Sequence, residues 1–381
     1  MICNQNKNPD MMNCKYDSLN NIFNCLKNHN YNKLQYYPSI KSKYIGHELK
    51  ILRSFLNNEI CIFRSSGMQN IYEKVMFKLD PNLYKLHEIF FHCLNVSKQT
   101  LNIFFSVEEI DRLLENNVFF CENGNYFSNY RFVPLQDAII LCSPPREYDT
   151  PKYVHLGGDT LKLLKYLMKE QKTRVNSALE IGCGAGYLSL YISRFAKKVT
   201  STDINERALQ FVLLNAGLNK INNINAMYSD VYSDLHEKYD IIISNPPYLF
   251  LPGDRMQRTY AYGGYLGLEI LEKILINIDY YLNENGVAHI LANSCIMENG
   301  VNTLVYLLEN IFYRKYYNIT IEQVLYQMPG EYKTFYKKEK VEKCILYYIK
   351  LKKGCDYKIK HIELKYISKI IQNLKVDLIS T

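Results

Sequence analysis

Beyond about residue 150, short dense apolar runs alternate with longer segments whose apolar positions recur at helical spacing. VNSALEI, KKVTSTD, NINAMYS, YDIIISN, GVAHILANS, NITIEQVLYQ and EKCILYYIKLKKG predict strands, and most connections between them predict helices. This alternation implies an α/β fold whose sheet is doubly wound and mostly parallel. The last two strands are linked by MPGEYKTFYKKEKV, which carries no helical pattern, so they are expected to pair antiparallel at one edge. KHIELKYISKIIQNLKVDLIS then reads as a basic amphipathic tail with its lysines toward solvent.

The amino-terminal part has a different rhythm. Residues 1–40 show few periodic apolar positions and read as a flexible lead-in with one short helix. From Ile40 to about Leu101 the apolar spacing is helical, and Ser106 with Glu109 predicts a capping box opening a short helix. NNVFFCENGNYFSNYRFVPL predicts a hairpin turning at Asn123-Gly124, and DAIILCS a further strand. Helix followed by hairpin is the order of a winged-helix-like α+β domain, assigned here to residues 41–150, with the catalytic type of pattern over 151–381 and a boundary near Pro144-Pro145. Glu108, Glu109, Asp111 and Glu115 make this helix acidic, which fits packing or partner docking better than phosphate contact.

Composition narrows the classes. The 11 cysteines are scattered without a C-x-x-C pair, which points to reduced thiols and away from a disulfide framework or zinc site. A net charge of +8 permits a nucleic-acid partner without requiring one. No apolar run has the length of a membrane span and the first residues lack the pattern of a signal peptide, so the expectation is a cytoplasmic protein with no membrane partner.

The chemistry concentrates at strand ends. ALEIGCGAGYLSL places Gly182, Gly184 and Gly186 between a strand and a helix, where glycine permits tight turning and close approach to a ligand. Glu180 precedes this loop and Cys183 lies inside it, as a small space-filler. The G-x-G-x-G spacing differs from the dinucleotide fingerprint. Asp203, with Ile204 after it, ends the next strand, where an acid can hold ribose hydroxyls. Asp230 with Val231 ends the one after. Finally, in YDIIISNPPYLF the strand must stop at Ser244-Asn245, because Pro246 cannot donate to a sheet ladder. Two prolines in succession fix the backbone and so the direction of Asn245 and Tyr248.

E-x-G-x-G-x-G, then Asp203, Asp230 and N-P-P-Y in that order, resembles the class I S-adenosylmethionine-dependent methyltransferases. The Asn-Pro-Pro-Tyr form is similar to the subset acting on planar nitrogens, the nucleobase amino methyltransferases and the HemK/PrmC glutamine methyltransferases. The resemblance spans about Val154 to Lys353 and implies a Rossmann-like sheet of seven strands that includes the antiparallel pair at its edge. It implies that S-adenosylmethionine is the cofactor, that Glu180 to Gly186 hold its methionine part, and that Asp203 and Ile204 meet the nucleoside. Asp230 and Val231 would line the adenine pocket. Asn245, Pro246 and Tyr248 would be the catalytic set around the substrate nitrogen, with Asn245 also a cofactor-binding residue and no metal required. Downstream, Gly263, Gly264, Gly267 and Leu268 match a HemK-type segment, with Leu266 where that pattern has an acid. His155, in the Gly-rich segment YVHLGGDTLKLLKYL, reads as structural. The expected activity is N-methylation of a macromolecule, at a protein glutamine or an RNA or DNA base. The alternative is a small-molecule acceptor covered by the amino-terminal domain as a lid; an inactive cofactor-binding module is disfavoured by the intact motif set.

Overall fold

The structure, a computed structural model, describes residues 9–31, 34–36, 60–62, 80–135, 138–148, 150–327, 332–354 and 357–362. They divide into two compact units. One comprises Met1–Gly158, Gly184–Tyr187 and Gln210–Asn222, the other Asp159–Cys183, Leu188–Leu209 and Asn223–Thr381.

The first unit opens with α1 (Pro9–Asn28), a helix of 20 residues where the sequence suggests a short one. Leu19, Ile22, Phe23 and Leu26 stand at i, i+3, i+4 and i+7 and are all buried, so tertiary packing sustains the full length. A strand pair follows, β1 (Leu34–Tyr36) parallel to β2 (Ile60–Ile62). Most of the helical pattern expected from Ile40 to Leu101 falls outside the described residues up to Asp80, but Ile60–Ile62 is a strand, in keeping with its two β-branched residues. Next come α2 (Pro81–Phe90), capped by Asp80, and α3 (Lys98–Leu101). The capping box forms at α4 (Val107–Glu115): the Glu109 N–H donates to Ser106 Oγ at 3.2 Å and the Ser106 N–H to Glu109 Oε2 at 2.8 Å.

β3 (Phe119–Glu122) and β4 (Asn125–Ser128) make the hairpin, with Asn123 and Gly124 both at positive φ, as a type I′ turn demands. The hairpin ends sooner than the sequence suggests. Buried Ser128 donates its hydroxyl to the Tyr130 carbonyl at 2.7 Å and accepts from the Tyr130 N–H at 3.2 Å, which breaks the strand. A second antiparallel pair, β5 (Arg131–Leu135) with β6 (Ala138–Cys142), follows.

The chain continues with α5 (Gly158–Glu170), β7 (Val175–Ile181), α6 (Tyr187–Ile192), β8 (Ala196–Asp203), α7 (Glu206–Leu218), β9 (Ile224–Tyr228) and β10 (Tyr239–Ser244), all in the second unit except Gly158, Tyr187 and the part of α7 from Gln210, which belong to the first. After α8 (Glu269–Tyr281) come β11 (Leu282–Met297), α9 (Thr303–Phe312), β12 (Tyr317–Gln327), α10 (Lys333–Lys338), β13 (Val341–Lys353) and β14 (Lys358–Ile362). The sheet order is β14-β12-β13-β11-β10-β7-β8-β9, and only β13 runs against its neighbours.

Two details correct the sequence reading. The sheet has eight strands rather than seven, because Lys358–Ile362 pairs parallel to β12; its alternating lysines give a charged edge that resists further pairing. The connection between β12 and β13 also contains α10, whose Tyr336 is buried and donates its hydroxyl to the Phe250 carbonyl at 2.9 Å. The remainder of the basic tail, 363–381, lies outside the described residues. Leu179 and Ile242 of the central strands pack with Leu271, Ile274, Leu275 and Ile278 of α8 in one buried cluster. Among the described residues no helix is long and apolar enough to cross a membrane.

Candidate active site

Strand order reverses between β7 and β10, since β8 and β9 lie on one side of β7 and β10 on the other. The carboxyl ends flanking such a reversal form the natural ligand crevice of an open α/β sheet. Register places the chemistry there. Ser244 pairs with Ile181, Ile181 with Thr202, and Asp203 with Tyr228, so Gly182, Asp203, Ser229 and Asn245 leave the sheet side by side. The Ser244 hydroxyl donates to the Ile181 carbonyl at 2.9 Å and fastens the two central ends together.

Glu180 is buried and does not face solvent. Its Oε2 accepts the Ser189 N–H at 2.7 Å and the Ser189 hydroxyl, which also contacts Ser201 Oγ at 2.6 Å. Burial pushes the Glu180 carboxyl up to about 8; Asp203 adds to the rise while the Ser189 bonds oppose it. An acid whose folded value is raised is protonated when folded and ionised when unfolded, so stability falls as pH climbs from about 4.5 toward about 8. Glu180→Gln cannot ionise and is expected to gain on the wild type by a few kcal/mol across that window, on the order implied by such a shift. Thermal unfolding of both proteins at the two ends of the range checks this; a constant difference contradicts it.

The loop glycines all take positive φ: Gly182 at 68°, Gly184 at 51° and Gly186 at 78°. At Gly182 a Cβ would meet nothing within 4 Å, so the position opens onto free space. Within the first unit, a Cβ on Gly186 would stand 2.8 Å from Val212 Cγ2, so this glycine is required by close helix packing. Cys183 is buried with its N–H on the Thr202 carbonyl at 2.9 Å. Burial, with Asp203 and Glu180 nearby, raises its thiol far up, which keeps it protonated and suits the space-filling role.

Asp203 accepts the Asn205 N–H on Oδ1 at 2.9 Å, and Ile204 beside it is 52% exposed, an apolar surface at the strand end. The Asp230 carboxylate lies 3.5 Å from Lys273 Nζ in an exposed pair. Val231 is buried at φ 58°, a conformation that a β-branched residue rarely adopts and that marks local strain.

At the end of β10, Asn245 Nδ2 donates to Asp159 Oδ2 and to Thr160 Oγ1, each at 3.2 Å. Tyr248, buried, donates its hydroxyl to the same Asp159 Oδ2 at 2.9 Å. Asn245 Oδ1 is buried and has no partner among the described residues. The Pro246–Tyr248 backbone is backed by residues 261–269: Leu249 N–H donates to the Ala261 carbonyl at 2.8 Å and Gly263 N–H to the Leu249 carbonyl at 3.0 Å. A Cβ on Gly263 would lie 2.6 Å from the Pro247 carbonyl oxygen. Sequence reasoning did not find Asp159 and Thr160, because an acid in the first turn of a helix is ordinary dipole chemistry. It also missed Asn215, fully buried in the first unit, whose amide bonds both backbone groups of Leu141 and the Ala185 carbonyl at 2.8 to 2.9 Å.

The methyltransferase small domain family matches residues 158–312. A protein of Methanocaldococcus jannaschii, provisionally named a protein N5-glutamine methyltransferase, is 35% identical over 149 residues, covering 38% of this chain and 74% of that one. The chain belongs to the HemK/PrmC-like class I S-adenosylmethionine-dependent methyltransferases. The release factor glutamine methyltransferase of Fusobacterium nucleatum is 43% identical to this methyltransferase over 75 residues, 19% of this chain and 21% of that one. Ribosomal RNA small subunit methyltransferase C of Haemophilus influenzae is 28% identical over 183 residues, 48% and 49% of the two chains. The chain thus spans less than half the length of these last two relatives. S-adenosylmethionine is the cofactor of the family, and the residues present fit it: open space at Gly182, a carboxylate at Asp203 and an exposed apolar side chain at Ile204.

Proposed function

We propose that this methyltransferase acts on a planar amide nitrogen, the side chain of a protein glutamine, in the cytoplasm. The observation that carries the reading is the asymmetry of Asn245: its NH₂ is engaged and its oxygen is left as a buried acceptor. An amide nitrogen is a poor nucleophile because its lone pair is delocalised, but it offers two N–H donors. Acceptors fixed on both, Asn245 Oδ1 and the Pro246 carbonyl, draw the lone pair back onto nitrogen without any base removing a proton first, and once nitrogen carries the methyl group one of its two protons passes to water. Tyr248 supplies a flat face for the amide, its ring held by the bond from its hydroxyl to Asp159. When bound, S-adenosylmethionine supplies a methyl group on a sulfonium centre, an electrophile with a neutral leaving group. The loop from Glu180 to Gly186 would receive its methionine part, Asp203 its ribose, and Ile204, Asp230 and Val231 its adenine.

Support for a protein acceptor comes from the two relatives named for glutamine methylation. A second reading, a base amine of ribosomal RNA, is favoured by the longer match to the RNA methyltransferase. Amino-acid analysis of protein methylated by the enzyme tests the first: N-methylglutamine is expected, and methyl groups confined to other side chains would contradict it. Asp203→Ala is expected to weaken S-adenosylmethionine binding by roughly 10- to 100-fold, the loss of one or two hydrogen bonds to a charged group. Calorimetric titration reads this directly, and an unchanged Kd would remove Asp203 from the cofactor site.

A further inference from the structure

We propose that Asp159 is a positioning residue, which holds the Asn245 amide in the one orientation that presents oxygen to the substrate. The inference rests on the reading of Asn245 given above. An asparagine amide can turn over about its last bond and exchange oxygen for NH₂ with almost no change in shape, so packing alone does not choose between the two. An ionised carboxylate does choose, because it only accepts. Asp159 Oδ2 receives Asn245 Nδ2 at 3.2 Å and the Tyr248 hydroxyl at 2.9 Å. Its Oδ1 is held by the Thr160 N–H at 3.0 Å, so the carboxylate itself cannot rotate freely. Thr160 Oγ1 gives the amide NH₂ a second acceptor at 3.2 Å. Turned over, Asn245 would set its oxygen against the carboxylate, acceptor facing acceptor. One carboxylate oxygen therefore fixes both the acceptor and the aromatic residue of the N-P-P-Y segment, and any loosening there is felt by both.

The test exchanges the two side chains. Asp159→Asn supplies a donor that lets Asn245 turn over, and kcat is expected to fall about 10- to 100-fold with the Kd for S-adenosylmethionine and Tm close to wild type. Asn245→Asp alone sets two carboxylates against each other and falls at least as far. In the exchange pair, the new amide at 159 donates to the new carboxylate at 245, whose free oxygen again accepts from the substrate. The pair is expected to exceed either single variant by about tenfold, whereas independent structural damage would multiply the losses. A second cycle needs no exchange: the loss caused by Tyr248→Phe is expected to shrink in the Asp159→Ala background, because the shared partner is already gone.

An exchange pair no better than its singles, together with a Tyr248→Phe loss that is undiminished in that background, would overturn the assignment. So would wild-type kcat in Asp159→Asn. The failure of the underlying reading looks different: Asn245→Ala would then keep its activity, irrespective of position 159.

Discussion

Asn245→Ala lowers kcat by roughly 10²- to 10³-fold, the scale of losing one fixed hydrogen-bonding group at the centre where charge develops, and leaves S-adenosylmethionine affinity essentially unchanged. The separation follows from where the residue stands. Asn245 leaves β10 beside Gly182, but its NH₂ is spent on Asp159 and Thr160 and its oxygen is the atom without a partner. Truncation removes an acceptor that matters only when a substrate N–H is in place, so the ground-state cofactor complex is not touched. Stability changes little, because the two bonds given by Nδ2 are lost together with a buried acceptor whose lack of a partner costs about 1–3 kcal/mol in the free protein, and the two effects oppose each other. Single-turnover kinetics and calorimetry on the same preparation check both halves. A parallel loss of cofactor binding would move Asn245 from the substrate to the cofactor.

Gly267→Ala is expected to be the most damaging change outside the motif itself. A Cβ at this position would lie 2.2 Å from the Tyr248 carbonyl oxygen and 3.0 Å from its carbon, and the residue sits at φ 75°. The left-handed conformation alone costs an L-residue about 1–2 kcal/mol. The collision adds to this and cannot be relieved by a rotamer, because the obstacle is backbone. Tyr248 must move, and a displacement of about 1 Å in a positioning group costs on the order of 10²-fold in rate. Gly300→Ala is the matched control. It has φ 83° and nothing within 4 Å of an added Cβ, so it should show the conformational cost in Tm without the loss of kcat. Equal effects of the two substitutions on kcat would show that the 261–269 segment does not set the geometry of Tyr248.

What the sequence disclosed was what short-range chemistry determines. Ile241–Ile243 ending at Pro246, the Asn123-Gly124 turn and the Ser106–Glu109 box are each fixed by residues within a few positions of one another, and each stands in the structure as read. The eighth strand was not legible because Lys358–Ile362 is an edge strand, whose alternating lysines look like the solvated face of a helix. The length of α1 depends on what its buried stripe packs against, and the break at Ser128 depends on one side-chain hydroxyl bonding back to Tyr130.

The same division runs through the site. Glycines, strand-end acids and N-P-P-Y announce themselves by spacing. Asp159 lies 86 residues before Asn245 and its role exists only after α5 and β10 have been brought together. Glu180 was legible as a loop residue, yet its carboxylate turns inward to Ser189, whose hydroxyl contacts Ser201, rather than out of the sheet, a direction that no spacing reveals.

The most direct test of the central claim is to incubate the purified enzyme with methyl-labelled S-adenosylmethionine and a cell extract, then separate protein, nucleic acid and small molecules. Label in the protein fraction, released by protease and resistant to nuclease, is the result expected, and it should vanish in Asn245→Ala. Label only in RNA would replace the glutamine amide with a base amine. Label confined to small molecules, or transfer undiminished in the Asn245 variant, would contradict the account.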